Sequence, residues 1–183
     1  MIRWLRLAIG VGVVAAITLV ATGATAGADG RSDGAQGTLR ERLSGYAENP
    51  LALSTTGAGE FRARIGPGDK ITYSLSYSAL EGTVTQAHIH FGSASQVGGI
   101  SVFFCSNLGN GPAGTQACPP APATVTGTVR PADVIGPAGQ GIDPGQFAEL
   151  VAAIRAGATY VNVHSTKYPV GEIRAQLENG NHD

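Results

Sequence analysis

From Glu60 to Leu80 the chain reads EFRARIGPGDKITYSLSYSAL, two alternating runs separated by a turn. In the first run Phe61, Ala63 and Ile65 fall on one side and Glu60, Arg62 and Arg64 on the other. In the second, Ile71, Tyr73, Leu75 and Tyr77 alternate with Thr72, Ser74 and Ser76. Side chains alternate across a strand, so a period of two describes a half-buried strand and fits no helix. The Gly66–Asp69 segment, GPGD, supplies turn chemistry, and the pair therefore reads as a hairpin. Further strands are predicted at 84–91, 100–104, 123–129, 158–164 and 171–177. Many short strands between Gly- and Pro-rich turns make the chain mainly β, an antiparallel sandwich or barrel.

One helix interrupts this pattern before the penultimate strand. Asp143 suits the N-cap, Pro144 the first helical position, and Gln146 the reciprocal position of a capping box. Phe147, Leu150, Val151 and Ile154 recur at helical spacing, and Gly157 supplies a left-handed stop. The apolar stripe is expected to pack over one end or edge of the sheet.

The N-terminus speaks to location. Arg3 and Arg6 precede an uncharged apolar run, Leu7 to Ala21, and Ala24-Thr25-Ala26 offers a small-x-small cleavage site. Residues 1–26 thus read as a secretory signal peptide, with an uncleaved anchor as the alternative. The apolar run falls short of the roughly 20 residues that span a bilayer as a helix. Residues 27–38 carry no large apolar side chain and read as a flexible linker; residues 179–183, with His182, read as a disordered tail. Between them lies one domain, 39–178. Without Arg3 and Arg6, 10 of the 12 basic residues remain against 13 acidic ones, a net charge of −3. No basic cluster stands out, so nucleic acid is not an expected partner, nor is a membrane beyond the signal segment. Arg outnumbers Lys in an Ala- and Gly-rich chain, which points to a bacterium with GC-rich DNA. Cys105 and Cys118 are the only cysteines; in an exported protein such a pair is expected as a structural disulfide.

The polar faces of three strands carry the candidate chemistry. In VTQAHIHF the core claims Ala87, Ile89 and Phe91, leaving Gln86, His88 and His90 on the opposite side. In YVNVHS, Val161 and Val163 face the core while Tyr160, Asn162 and His164 share the other face. In GEIRAQL, Glu172, Arg174 and Gln176 point away from Ile173, Ala175 and Leu177. If these strands are neighbours, three histidines gather in one polar patch. Same-face residues on a strand lie roughly 6.5–7 Å apart, close enough for two imidazoles to lean onto one ion. Imidazole ligands suit copper and zinc, and Glu172 or Asn162 could hold a histidine through its second nitrogen. Two other readings stand beside this one. The polar groups could be a structural cluster of cross-strand ion pairs and hydrogen bonds, or a recognition surface with Tyr160 and Tyr168 at its rim. The chain has neither a G-x-S-x-G nucleophile motif nor a Walker-type phosphate loop.

LSGYAENP, AHIHFGSASQVGGISVFF and YVNVHSTKYPVGEIRAQL resemble successive signatures of the chordin-type (CHRD) domain family, and the resemblance runs from Leu39 to Leu177. Its motif histidines fall on His88, His90 and His164, and its Gly-Glu-Ile-Arg motif on Gly171–Arg174. The chain departs from the commoner pattern at Asn49 and Ala175, neither expected to touch the polar cluster. The resemblance implies a secreted β-sandwich or barrel, immunoglobulin-like or superoxide-dismutase-like. Copper–zinc superoxide dismutases show the same order of an H-x-H pair, a later histidine and an arginine, here His88, His90, His164 and Arg174. With no histidine between His90 and His164, a dinuclear site is excluded; a mononuclear copper site stays open, with Arg174 to attract an anion. The expected function is an exported, non-catalytic extracellular binding or structural module for a protein or surface ligand. The alternative is a mononuclear copper or zinc protein with weak superoxide-related redox activity.

Overall fold

The structure, a computed structural model, describes residues 37–178. The segments read as signal peptide and tail, and nearly all of the linker, lie outside these residues; Thr38 already opens the first strand. Among the described residues no helix is long and apolar enough to cross a membrane.

Eight strands form one sheet in which every neighbouring pair is antiparallel. In chain order they are β1 (Thr38–Ser44), β2 (Ala58–Gly66), β3 (Lys70–Ser78), β4 (Val84–Phe91), β5 (Gly99–Ser106), β6 (Ala123–Val129), β7 (Thr159–Ser165) and β8 (Ile173–Leu177); α1 (Phe147–Arg155) precedes β7. Across the sheet the order is β5-β4-β7-β8-β1-β2-β3-β6. The sheet curls until its two edges, β5 and β6, approach each other, giving a nearly closed barrel. The hairpin predicted from GPGD is β2–β3, in register from Ala58↔Ser78 to Gly66↔Lys70. Its inward set Phe61, Ala63, Ile65, Ile71, Leu75 and Tyr77 is buried.

Two elements differ from expectation. β1 was not anticipated as a strand. In TLRERLS the buried residues are Leu39 and Leu43, with Glu41 between them on the same face, so the apolar signal repeats at four rather than two and masks the alternation. Only pairing with Arg64 through Ala58 of β2 reveals it. Helix α1 begins at Phe147, with Gln146 at its N-cap. Gly145, at φ +86°, breaks helical geometry between Pro144 and Gln146, so Asp143 starts a separate turn (Gln146 N–H to Asp143 O, 3.1 Å). Half of the expected box survives, the Asp143 N–H donating to Gln146 Oε1 at 3.0 Å. The C-terminus ends as predicted. Gly157 sits at φ +65°, and the amides of Gly157 and Ala158 close onto Ile154 O and Ala153 O, both at 3.0 Å, as a Schellman motif. Phe147, Leu150, Val151 and Ile154 join the core formed by the strands.

The disulfide-closed loop seals the barrel seam. Cys105, at the end of β5, is bonded to Cys118. Within the loop, the Ser106 amide donates to Gln116 O (2.9 Å), and Gln116 Nε2 reaches Thr126 O on β6 and Tyr73 Oη (both 3.2 Å). Asn107 pins the loop's other arm, donating to Val84 O (3.1 Å) and Cys118 O (2.9 Å). Further along β5 the Ile135 amide donates to Ser101 O at 3.0 Å. An otherwise open edge is thereby covered at both ends. Replacing both cysteines by serine is expected to cost about 3 kcal/mol by restoring loop entropy to the unfolded chain. Urea denaturation measures that loss, and hydrogen exchange should rise first at the Ser106 amide. Unchanged stability would show that hydrogen bonds alone hold the seam.

Candidate metal centre

β4, β7 and β8 are neighbours, so the three polar faces read from the sequence do meet. His88 lies opposite Asn162, His90 opposite Tyr160 and Gln86 opposite His164; Asn162 in turn faces Arg174, and Tyr160 faces Gln176. His164 is therefore diagonal to His88 across the β4–β7 pair. The ring centroids stand 5.2 Å apart for His88–His90, 5.0 Å for His88–His164 and 6.2 Å for His90–His164. Each ring offers one nitrogen such that all three atoms lie within 4.8 Å of one another. An ion at 2.0–2.1 Å from each nitrogen needs separations of about 3.3–3.5 Å, which ring-tip shifts of about 1 Å would supply. On its other side β4 pairs with β5 across register shifts between Ala87 and His88 and between Ile89 and His90. Such bulges re-aim side chains, and they bring Phe103 edge-on against His88 at 4.4 Å.

The polar face is buried, which its composition did not announce. His88 is 0 % exposed, His90 7 %, His164 5 % and Arg174 1 %. Backbone from the 92–98 and 166–171 loops closes over it, and the side chains of the face hold that backbone. Arg174 donates to Ser93 O (2.9 Å) and Gln96 O (3.0 Å). Gln176 donates to Gly92 O (3.0 Å) and Gly157 O (2.7 Å). His90 Nδ1 donates to Gly98 O (2.9 Å), His164 Nδ1 to Pro169 O (3.0 Å), and Asn49 Nδ2 to Ala94 O (2.6 Å). Asn49, a departure from the family pattern, thus does bear on the cluster.

Two further expectations give way. Arg174 is not available to attract an anion. Its Nη2 is engaged by two carbonyls, the residue is 1 % exposed, and the guanidinium lies 3.4 Å from the centre of the Tyr160 ring, which stacks on His90 at 4.8 Å. Tyr160 is buried in that sandwich, 2 % exposed, and forms no surface rim. Glu172 does not hold a histidine: its Oε1 accepts from Thr55 Oγ1 (2.8 Å) and the Glu81 amide (2.6 Å). Gln86 turns to Asn110 in the disulfide loop, accepting at 2.9 Å. Asn162 Oδ1 is 3.0 Å from His164 Nε2. Because Pro169 O requires the hydrogen on Nδ1, Nε2 carries a lone pair, and the amide satisfies it with its NH2 turned inward.

The hydrogen bonding orients lone pairs toward the centre. A carbonyl on Nδ1 of His90 and of His164 fixes the tautomer with the lone pair on Nε2, the arrangement by which outer partners prepare metal-bound histidines. His90 Nε2 and both ring nitrogens of His88 are buried without a hydrogen-bond partner, an expensive state for polar atoms. Burial draws the His88 imidazole down to about 2, helped by the neighbouring His164 and His90. Burial also takes His90 down to about 4 against the pull of the Gly98 carbonyl, and lowers His164 against that of Pro169. All three are neutral at pH 7, as ligation requires.

Glu48 was missed at the sequence level, where AENP reads as an exposed turn. It is 6 % exposed with Oε1 unpartnered, and burial pushes its carboxyl up to about 7 despite the opposing charge of Arg174. A Cβ at Gly171, φ +147°, would sit 2.6 Å from Glu48 Oε1. That is the physical need for glycine ahead of Glu172-Ile173-Arg174.

These shifts predict acid sensitivity of the metal-free protein. Below about 6.5 the unfolded chain takes up protons that the folded histidines refuse until about 4 for His90 and about 2 for His88. Stability is therefore full above 6.5 and lost as pH falls. Glu48 acts in the opposite sense, weakening the fold as pH rises from 4.5 toward 7. With three histidines against one carboxyl, the net loss between pH 7 and pH 4 is expected to be on the order of 3 kcal/mol. Urea melts over a pH series in chelator measure it, and a flat profile would show solvated imidazoles.

Residues 39–177 match the family model described as CHRD domain. Searches of curated proteins and of solved structures find no match. The family match spans all eight strands but the first residue of β1, and it takes in every residue of the histidine cluster. The chain belongs to the CHRD domain family.

Proposed function

We propose that this CHRD domain is an exported, non-catalytic module that binds a single copper or zinc ion through His88, His90 and His164. One observation carries the reading: His88, wholly buried, has no hydrogen-bond partner on either ring nitrogen and lies where one nitrogen from each of the three histidines comes within 4.8 Å of the others. A structural polar cluster would satisfy those atoms internally, as the Arg174 Nη2 and Gln176 Nε2 donors are satisfied by loop carbonyls. Imidazole ligands suit both metals. The disulfide is compatible with an oxidising compartment outside the cytoplasm, and the N-terminal sequence pattern supports export. Arg174 is sealed, so the reading includes no anion-directed redox chemistry.

Metal content and copper and zinc titration test this on the disulfide-intact protein beside a His88→Ala/His90→Ala double variant. The wild type is expected to retain close to one equivalent, and the variant to lose at least about 100-fold in affinity. No retention by the wild type at micromolar metal would leave the histidines structural.

A second reading, recognition of an extracellular protein or surface ligand, is favoured by a separate surface. Tyr46, Leu51 and Val170 are exposed by 75, 73 and 66 %, and Leu51 and Val170 line a largely apolar cavity of about 250 Å³ with Glu48, Leu53, Tyr168 and Pro169. Replacing Leu51 and Val170 by Asp should abolish surface binding of the purified protein to its producing cells while leaving metal content intact. Equal binding by the variant would dismiss this surface.

A further inference from the structure

We infer that the ion this site is built to hold is monovalent copper, bound by three imidazole nitrogens without an anionic ligand. The inference rests on the metal-binding reading above and narrows it to one ion and one charge.

The charge inventory carries it. The group of ligand atoms within 4.8 Å of one another contains three histidines and, among the described residues, no carboxylate or thiol. All three imidazoles are neutral donors, so a bound ion keeps its full charge. The rings packed against the histidines are aromatic and uncharged. Phe103 packs edge-on against His88, and Tyr160 stacks on His90. Behind Tyr160 lies the buried guanidinium of Arg174, 3.4 Å from the ring centre. The acid that faces Arg174 is Glu48, itself held toward its neutral form by burial. Any cation at the centre therefore enters an enclosed, apolar-walled position beside an existing positive charge.

The cost of moving an ion out of water rises with the square of its charge, so a divalent ion suffers about four times the penalty of a monovalent one of equal size. Zinc sites with three protein ligands complete themselves with a water or another ligand in a fourth position, and a buried divalent ion gains from an anion there. Here the flanking donor, Asn162, is a neutral amide within 3.0 Å of His164 Nε2. Monovalent copper has a filled d shell, accepts three-coordination and asks for no charge-balancing anion. The three buried imidazoles, two of them anchored by carbonyls, match that demand better than they match Zn(II) or Cu(II).

Competition titration of the full chain, as its producing cell leaves it, decides the point. Cu(I) is maintained with ascorbate, which spares the Cys105–Cys118 disulfide, and is competed with a Cu(I)-selective chelator. Zn(II) and Cu(II) are titrated against their own chelators at the same pH. The expected result is a dissociation constant for Cu(I) at least about 100-fold below those for Zn(II) and Cu(II), with three nitrogen neighbours by X-ray absorption. Zn(II) or Cu(II) binding as tightly as Cu(I) would overturn the inference while leaving the metal reading standing. Retention of none of the three ions would overturn both. A His164→Asp variant adds the missing negative ligand and should narrow the Cu(I)-to-Zn(II) gap by about tenfold or more. An unchanged ratio in a folded variant would overturn the charge argument, and if the variant does not fold, the wild-type comparison alone decides.

Discussion

The Arg174 guanidinium is the centre on which the polar half of this domain is organised. A buried arginine is tolerated only where its donors are used and its charge is spread, and here two loop carbonyls and the face of Tyr160 do that work. In meeting its own needs Arg174 brings Ser93 and Gln96 down over the sheet. The loop it holds carries Gly98, whose carbonyl orients His90 and whose amide donates to Tyr160 Oη at 3.2 Å. Loop closure, histidine tautomer and ring stacking are therefore one arrangement.

The same logic of covering exposed backbone governs the opposite side. A sheet of eight strands that does not quite close leaves two edges, and unpaired edges invite association with other chains. The 105–118 loop occupies that gap, with Gln116 bridging from the β5 side to β6 and Tyr73 packed at a tilt against Phe104, ring centroids 4.4 Å apart. A chain so rich in glycine and proline there would not hold this shape unaided, and the disulfide limits its freedom before folding begins. The seam and the histidine face lie on either side of β4 and β5. The β5 bulges that aim Phe103 at His88 belong to the strand the loop secures.

What distinguishes the histidine cluster from ordinary interior polarity is unevenness of satisfaction. Arg174, Asn162 and His164 find partners within the chain, while His88 finds none for either nitrogen and His90 only for one. Natural interiors rarely leave such atoms alone without a reason in chemistry or an ion. The neighbours that are present fix tautomers and press rings together; they leave the ring nitrogens of His88 and Nε2 of His90 uncommitted, while Asn162 meets Nε2 of His164.

Much of the framework was legible in the residues themselves. Alternation placed seven of the strands, Gly157 placed the helix end, and the shared faces of His88 with His90 and of Asn162 with His164 followed from the period of two, because these are properties of neighbours in the chain. Leu39 and Leu43 show the limit of that signal, since a strand whose face carries Glu41 between two leucines is recognisable only by its partner β2. The sequence also held Arg174, Glu172 and Glu48 without saying which would be sealed, paired or left protonated. Those outcomes depended on which loops fold across the sheet, and on β4 lying beside the β7–β8 pair although residues 92–158 intervene. Local pattern determined which atoms share a face; only tertiary packing decided that this face would be buried, and burial is what turns three histidines into a site.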